Sequence, residues 1–160
     1  MAQEKKVKLI KVLNAITLES TEDTTQAATS RVIVDTFYSD TLNLVCKYTT
    51  GAGETSNNAY IKVWGYVGTY PSNSGFPYSD TDDSDIAGDS TNWVQLGTYD
   101  ISSGTATFTA TTFKIAGASA ATAYDAQFVI GITFPKIRVS VYEDGVASNK
   151  GTLSVTALIQ

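Results

Sequence analysis

Apolar residues alternate with polar ones in short runs along almost the whole chain, and Gly, Ser, Asn and Asp clusters separate the runs. TLNLVCKY at 41–48 places Leu42, Leu44, Cys46 and Tyr48 at every second position. DAQFVIGITF at 125–134 does the same with Ala126, Phe128, Ile130, Ile132 and Phe134, and GTLSVTALI at 151–159 with Leu153, Val155, Ala157 and Ile159. A period of two puts each set on one face of a β-strand. The same reading applies to VKLIKVLNAITL (7–18), RVIVDTFY (31–38), AYIKVWGYVG (59–68), NWVQLGTYDI (92–101), TATFTATTFKI (105–115) and KIRVSVYE (136–143). In AYIKVWGYVG the pattern assigns Ile61, Val63 and Val67 to one face and Tyr60, Trp64 and Tyr66 to the other. About nine strands are expected. The best helical candidate, AGASAATAYDA, holds glycine and is long enough for only one or two turns.

Two runs change face midway. Within TATFTATTFKI the apolar positions move from Ala106, Phe108 and Ala110 to Phe113 and Ile115, and a second slip falls across Phe134-Pro135-Lys136. A slip of one residue marks a bulge or bend, as where a strand crosses from one sheet to the other at a corner. Pro135 cannot donate to a ladder, so it belongs at an edge or a break. ISSGTA and EDGVASNKG carry the turn residues of hairpin connections. The pattern therefore predicts an all-β, single-domain antiparallel β-sandwich, jelly-roll-like, over residues 13–160, preceded by a basic arm or edge strand at 1–12.

The stretch at 69–91, TYPSNSGFPYSDTDDSDIAGDST, is 23 residues long and exceeds a passive connection. Its carboxylates invite a calcium reading, but no EF-hand register fits. Counting from Asp80 places Asp85 where glycine is required and Thr91 where a bidentate glutamate belongs; counting from Asp83 puts Ala87 and Val94 at ligand positions. No metal or cofactor is expected.

Composition narrows the chemistry. The chain of 160 residues has no histidine, which removes the commonest general base and metal ligand. Its one cysteine, Cys46, lies in an apolar alternation and excludes internal disulfides and thiolate zinc sites. No phosphate-binding glycine loop is present. Among strand-borne acids, Asp35, Asp100 and Glu143 offer no selected pair for glycoside chemistry. No enzymatic activity is expected. No apolar run reaches the roughly 20 residues of a membrane-spanning helix, and lysines interrupt the first segment where a secretion signal needs an unbroken apolar stretch. Synthesis in a cytoplasm, without membrane association, is the expectation.

The net charge is -5, yet Lys5, Lys6, Lys8 and Lys11 make the first eleven residues basic. The overall charge opposes general polyanion binding, so nucleic acid is not an expected partner. A basic arm on an acidic body suits contact with another copy. Lysines at an edge also serve simply to prevent aggregation. The aromatics form the other candidate surface: Tyr60, Trp64 and Tyr66, then Tyr70, Phe76 and Tyr78 in the long stretch, and Trp93 after it. Such a row serves as core, as an oligomer interface, or as a platform for sugars.

From NWVQLGTYDISSGTATFTATTFKIAG through FPKIRVSVYEDGVASNKGTLSVTALIQ the chain resembles small structural proteins of tailed bacteriophage virions. The likeness lies in a Trp-bearing strand, a Thr-rich hairpin, IRVSVYEDG and a closing GTLSVTALI, without a diagnostic motif. It implies a capsid decoration or auxiliary protein on the virion surface, a homo-oligomer such as a trimer, with the major capsid protein or another virion protein as partner. The alternative expectation is a carbohydrate-binding β-sandwich using the exposed Tyr and Trp rings.

Overall fold

The computed structural model describes residues 7–20, 33–36, 39–54, 56–67, 93–100, 107–144 and 149–160. They form eleven strands and, among the described residues, no helix: β1 (Lys8–Thr17), β2 (Ile33–Asp35), β3 (Thr41–Thr49), β4 (Asn58–Tyr66), β5 (Trp93–Gln95), β6 (Gly97–Asp100), β7 (Thr107–Ala110), β8 (Thr112–Ala116), β9 (Ala123–Gly131), β10 (Lys136–Glu143) and β11 (Thr152–Ile159). All pairings are antiparallel. One sheet runs β1-β11-β3-β9, and the second runs β2-β10-β4-β5 with β8 also on β4.

The chain passes between the sheets at almost every step, so that sequence neighbours end up in opposite layers: β1 against β2, β3 against β4, β8 against β9, and β10 against β11. This order is a jelly roll, two Greek keys wrapped into a sandwich. The alternation seen in the sequence supplies its core. From the first sheet come Leu42, Leu44, Cys46, Leu153, Val155, Ala157 and Leu13; from the second come Val34, Ala59, Ile61, Val63, Ile137 and Val139, all buried in one cluster. Each fully buried Val, Leu or Ile contributes roughly 1.5–3 kcal/mol against conformational entropy. Burial also pushes the Cys46 thiol up to about 12, so it stays protonated at neutral pH.

Every run read as a strand contains one, and two runs are split. β4 is bordered on one side by both β8, opposite Asn58–Lys62, and β5, opposite Trp64–Tyr66. The β6–β7 hairpin leaves this shared edge and returns to it, and the junction is tied by Leu96 N–H to Val63 O at 2.9 Å and Thr111 N–H to Leu96 O at 2.8 Å. The face change inside TATFTATTFKI is therefore a change of sheet at Thr111. The slip at Phe134-Pro135-Lys136 is likewise a crossing, from β9 in the first sheet to β10 in the second. There the Phe134 ring lies on Gly65, where an added Cβ would come within 2.3 Å of it.

Three expectations need correction. EDGVASNKG is no hairpin, because it joins β10 to β11 across the sandwich. AGASAATAYDA contains no helix: a turn at residues 119–121 puts Ala121 at φ 48°, and Thr50 Oγ1, which donates to Ser119 O at 2.6 Å, accepts from Thr122 N–H at 3.0 Å. The rest of the segment enters β9. Val67 is 53% exposed instead of core-facing, since β4 ends one residue before it.

Candidate interaction surface

Ile61 and Val63 turn inward on β4, and this sends Tyr60, Lys62, Trp64 and Tyr66 to the outer face of the second sheet. β10 does the same with Lys136, Arg138, Ser140 and Tyr142, because its partners in register are Tyr60 for Tyr142, Lys62 for Ser140 and Trp64 for Arg138. On the other side of β4, Lys114 stands opposite Tyr60, and Trp93 opposite Tyr66.

These side chains form one continuous column. At one end Asp144 accepts hydrogen bonds from Asn58 N–H and Asn58 Nδ2 at 2.6 Å each and from the Tyr60 hydroxyl at 2.9 Å. Burial alone would raise the Asp144 carboxyl, but the Asn58 and Tyr60 hydrogen bonds together hold it below its ordinary value. The same bond raises the Tyr60 phenol. Tyr60 stacks on Tyr142 at 4.8 Å and 13°. Each ring also carries a lysine, Lys114 at 6.0 Å from Tyr60 and Lys62 at 5.4 Å from Tyr142. Beyond them the Trp64 indole N–H donates to Ser140 Oγ at 2.8 Å. The Arg138 guanidinium lies 5.6 Å from the Trp64 ring and 4.5 Å from the Trp93 ring, and Trp93 meets Tyr66 at 5.1 Å. Arg138, Tyr66 and Trp93 are buried, whereas Tyr60, Lys62, Trp64 and Tyr142 are half-buried and Lys114 is exposed.

The arrangement holds planar rings and cations in fixed relative positions. Cation–π contacts of this kind contribute about 0.5–2 kcal/mol each. Among the described residues its charged groups are the exposed Lys114, the half-buried Lys62, the buried Lys136 and Arg138, and Asp35 and Asp144. Its chemistry is that of protein–protein contacts, where Tyr, Trp and Arg concentrate.

Of the residues singled out in the sequence, Tyr60, Trp64, Tyr66 and Trp93 come together here. Lys8 does not; it sits exposed on β1, opposite Ile159 in the other sheet. Lys5, Lys6, Tyr70, Phe76 and Tyr78, with the acidic run at 78–89, lie outside the described residues. Sequence reading missed Arg138, Tyr142, Lys62 and Lys114. Counting every second position in KIRVSVYE sets Arg138, Ser140 and Tyr142 on one face, so the signal was present; what no count supplies is that β10 is the neighbour of β4.

Elsewhere the polar groups serve the fold. Glu143 continues the inward face of β10 and is 2% exposed. Its Oε1 accepts from the Tyr48 hydroxyl at 2.8 Å and Asn57 Nδ2 at 2.9 Å, and its Oε2 from Gly151 N–H at 2.7 Å. A cleft of about 530 Å³ at the β9–β10 crossing is bounded by Thr36, Asp40, Phe134 and Pro135, and among the described residues lining it Asp40 is the one with an acidic side chain. Among the described residues no three His, Cys, Asp or Glu side chains group to hold a metal ion.

Compared with known proteins, the chain matches no family model and no curated sequence.

Proposed function

We propose that the chain is a non-enzymatic structural protein of a virion, a capsid decoration protein that associates with copies of itself and binds the exterior of the shell. The observation that carries this reading is the column from Asp144 to Tyr66: Tyr60, Trp64 and Tyr142, partly open to solvent, are held rigid by stacking, by Asp144 and Ser140, and by the buried Arg138 and Trp93 beneath them. Rigid aromatics lose little entropy on association, and the exposed Lys114 beside them suits an acidic partner surface. The texture of the C-terminal half, similar to that of phage virion proteins, points the same way. Jelly rolls also occur in lectins, so the fold alone selects neither reading. A sugar platform needs an open ring face, however, and here Tyr60 and Tyr142 cover each other while Trp93 and Tyr66 are each only 5% exposed.

The test is co-sedimentation of the purified protein with capsids assembled without it. Saturable binding, weakened by Lys62→Glu and Lys114→Glu, is expected. Absence of binding together with strong hits on a glycan array would replace this reading with the carbohydrate one.

A further inference from the structure

The two edges of the first sheet differ in a way that points to a partner. On β1 the register with β11 breaks twice, between Lys11 and Leu13 and between Leu13 and Ile16. The second break contains Ala15 at φ 49°, whose N–H donates to Ser154 Oγ at 2.9 Å. Together with Lys8 and Lys11, these bulges are the devices by which sheet edges avoid adding strands. β9 has none of them. Its nine residues pair β3 one for one without interruption from Thr41↔Gly131 to Thr49↔Ala123, and they include no lysine, proline or bulge. Among the described residues β9 pairs with β3 alone. Flanking it, Thr50 N–H donates to Thr122 O and Ile132 N–H to Asp40 O, which fixes the alternation. The even-numbered residues of β9 turn their backbone groups to β3, so Asp125, Gln127 and Val129 turn theirs to the free side. Val129 is 66% exposed, and nothing lies within 4 Å of where a side chain at Gly131 would begin.

We propose that β9 is a self-association strand, pairing antiparallel with β9 of a second copy across a two-fold axis at Gln127. This rests on the reading of the chain as a self-associating building block and names the contact. The strand is complementary to itself in that register. On the inner face, where Tyr124, Ala126, Phe128 and Ile130 are only half-buried, Tyr124 meets the second copy's Ile130 and Ala126 its Phe128, a large ring against a small side chain. On the outer face Asp125 meets Val129, so no like charges oppose. A centre at Asp125 would instead set two carboxylates face to face. The result is a continuous eight-stranded sheet through two sandwiches and an isologous contact, which produces dimers or assemblies built from them.

Disulfide trapping in the full chain tests the register. Cys46 is buried and stays out of the chemistry. Partners in such a pair have Cα atoms about 5.5 Å apart, within disulfide reach. Gln127→Cys alone should therefore form a covalent dimer on oxidation, and Asp125→Cys alone should not, while the double variant Asp125→Cys/Val129→Cys should. A charge test runs beside it by light scattering. Val129→Asp, which opposes Asp125 twice per dimer, should weaken association on the order of tenfold, and Val129→Lys should preserve or tighten it. A wild-type protein that is monomeric at every concentration, trapping at 125 without trapping at 127, or identical effects of Val129→Asp and Val129→Lys would overturn the proposal. These readouts are independent of capsids: a trapped dimer that fails to bind capsids leaves this contact standing and removes the virion function, and a capsid-binding monomer does the reverse.

Discussion

At the scale of the residue, the most demanding position is Glu143, a carboxylate in the core with donors on both oxygens. Removing one partner of a buried polar group leaves the other unsatisfied, which costs about 1–3 kcal/mol. Tyr48→Phe should therefore lower stability by about that amount in a urea titration. Glu143→Gln should cost more, since its amide has to point an N–H at either Gly151 N–H or the Tyr48–Asn57 pair. The Tyr48 phenol is held above its ordinary value, first by burial and then by its hydrogen bond to Glu143. Because the folded state keeps this proton after the unfolded chain releases it, the stabilisation is full below the unfolded pKa of about 10. It declines as pH rises further. The stability gap between wild type and Tyr48→Phe should accordingly narrow as urea titrations move above about pH 10. Glu143 shows how far single-residue reading reaches. Its parity with Ile137, Val139 and Val141 places it inward, but its donors come from β3, from the segment before β4 and from the residue before β11, which only the topology brings together.

At the scale of the element, β10 is covered on both faces, inward by the core and outward by the aromatic column. Arg138 is its pivot, and both tryptophans of the chain touch it. Intrinsic fluorescence thus reports on this one contact. Arg138→Lys keeps the charge but loses the planar group that stacks on rings. It should shift the emission spectrum and cost about 1–2 kcal/mol in a melting experiment, whereas Lys114→Ala should leave both nearly unchanged. The strands themselves were legible because alternation is imposed locally by one buried face, as in Leu42, Leu44, Cys46 and Tyr48. What escaped the pattern was set by long-range geometry. Leu96 and Thr111 look like ordinary members of runs, yet they bound a hairpin inserted into a shared edge. Val67 keeps the alternation but, among the described residues, has no neighbour strand to bury it. The inner residues of β9 alternate as cleanly as those of β3, and nothing in that rhythm tells that β9 lies at an edge.

At the scale of the whole molecule, the two surfaces lie on different sheets, so one copy can use both at once. The β9 edge extends the first sheet, while the aromatic column covers the outside of the second. On the proposed function, a dimer joined through β9 would therefore carry two shell-binding faces on a stiff connection. Once the first face is bound, the second meets its site at a high effective concentration, and avidity gains of about 10²–10⁴ over a single face are usual when the geometry permits both. Val129→Asp leaves the column intact and acts only through the dimer. It should thus reduce capsid retention by at most about the tenfold by which it weakens dimerisation, because the avidity of two faces is lost only as far as the dimer is. Trp64→Ala, which removes an anchor from the column, should weaken binding in dimer and monomer alike. The consequence for the shell follows from mass action, since a ligand at a hundred times its Kd stabilises the form it binds by about 2.7 kcal/mol per site. Shells decorated with wild type should melt at a higher temperature than bare ones, and at equal protein concentration Val129→Asp should return a substantial part of that gain. Equal protection by both would mean that each copy acts singly on the lattice.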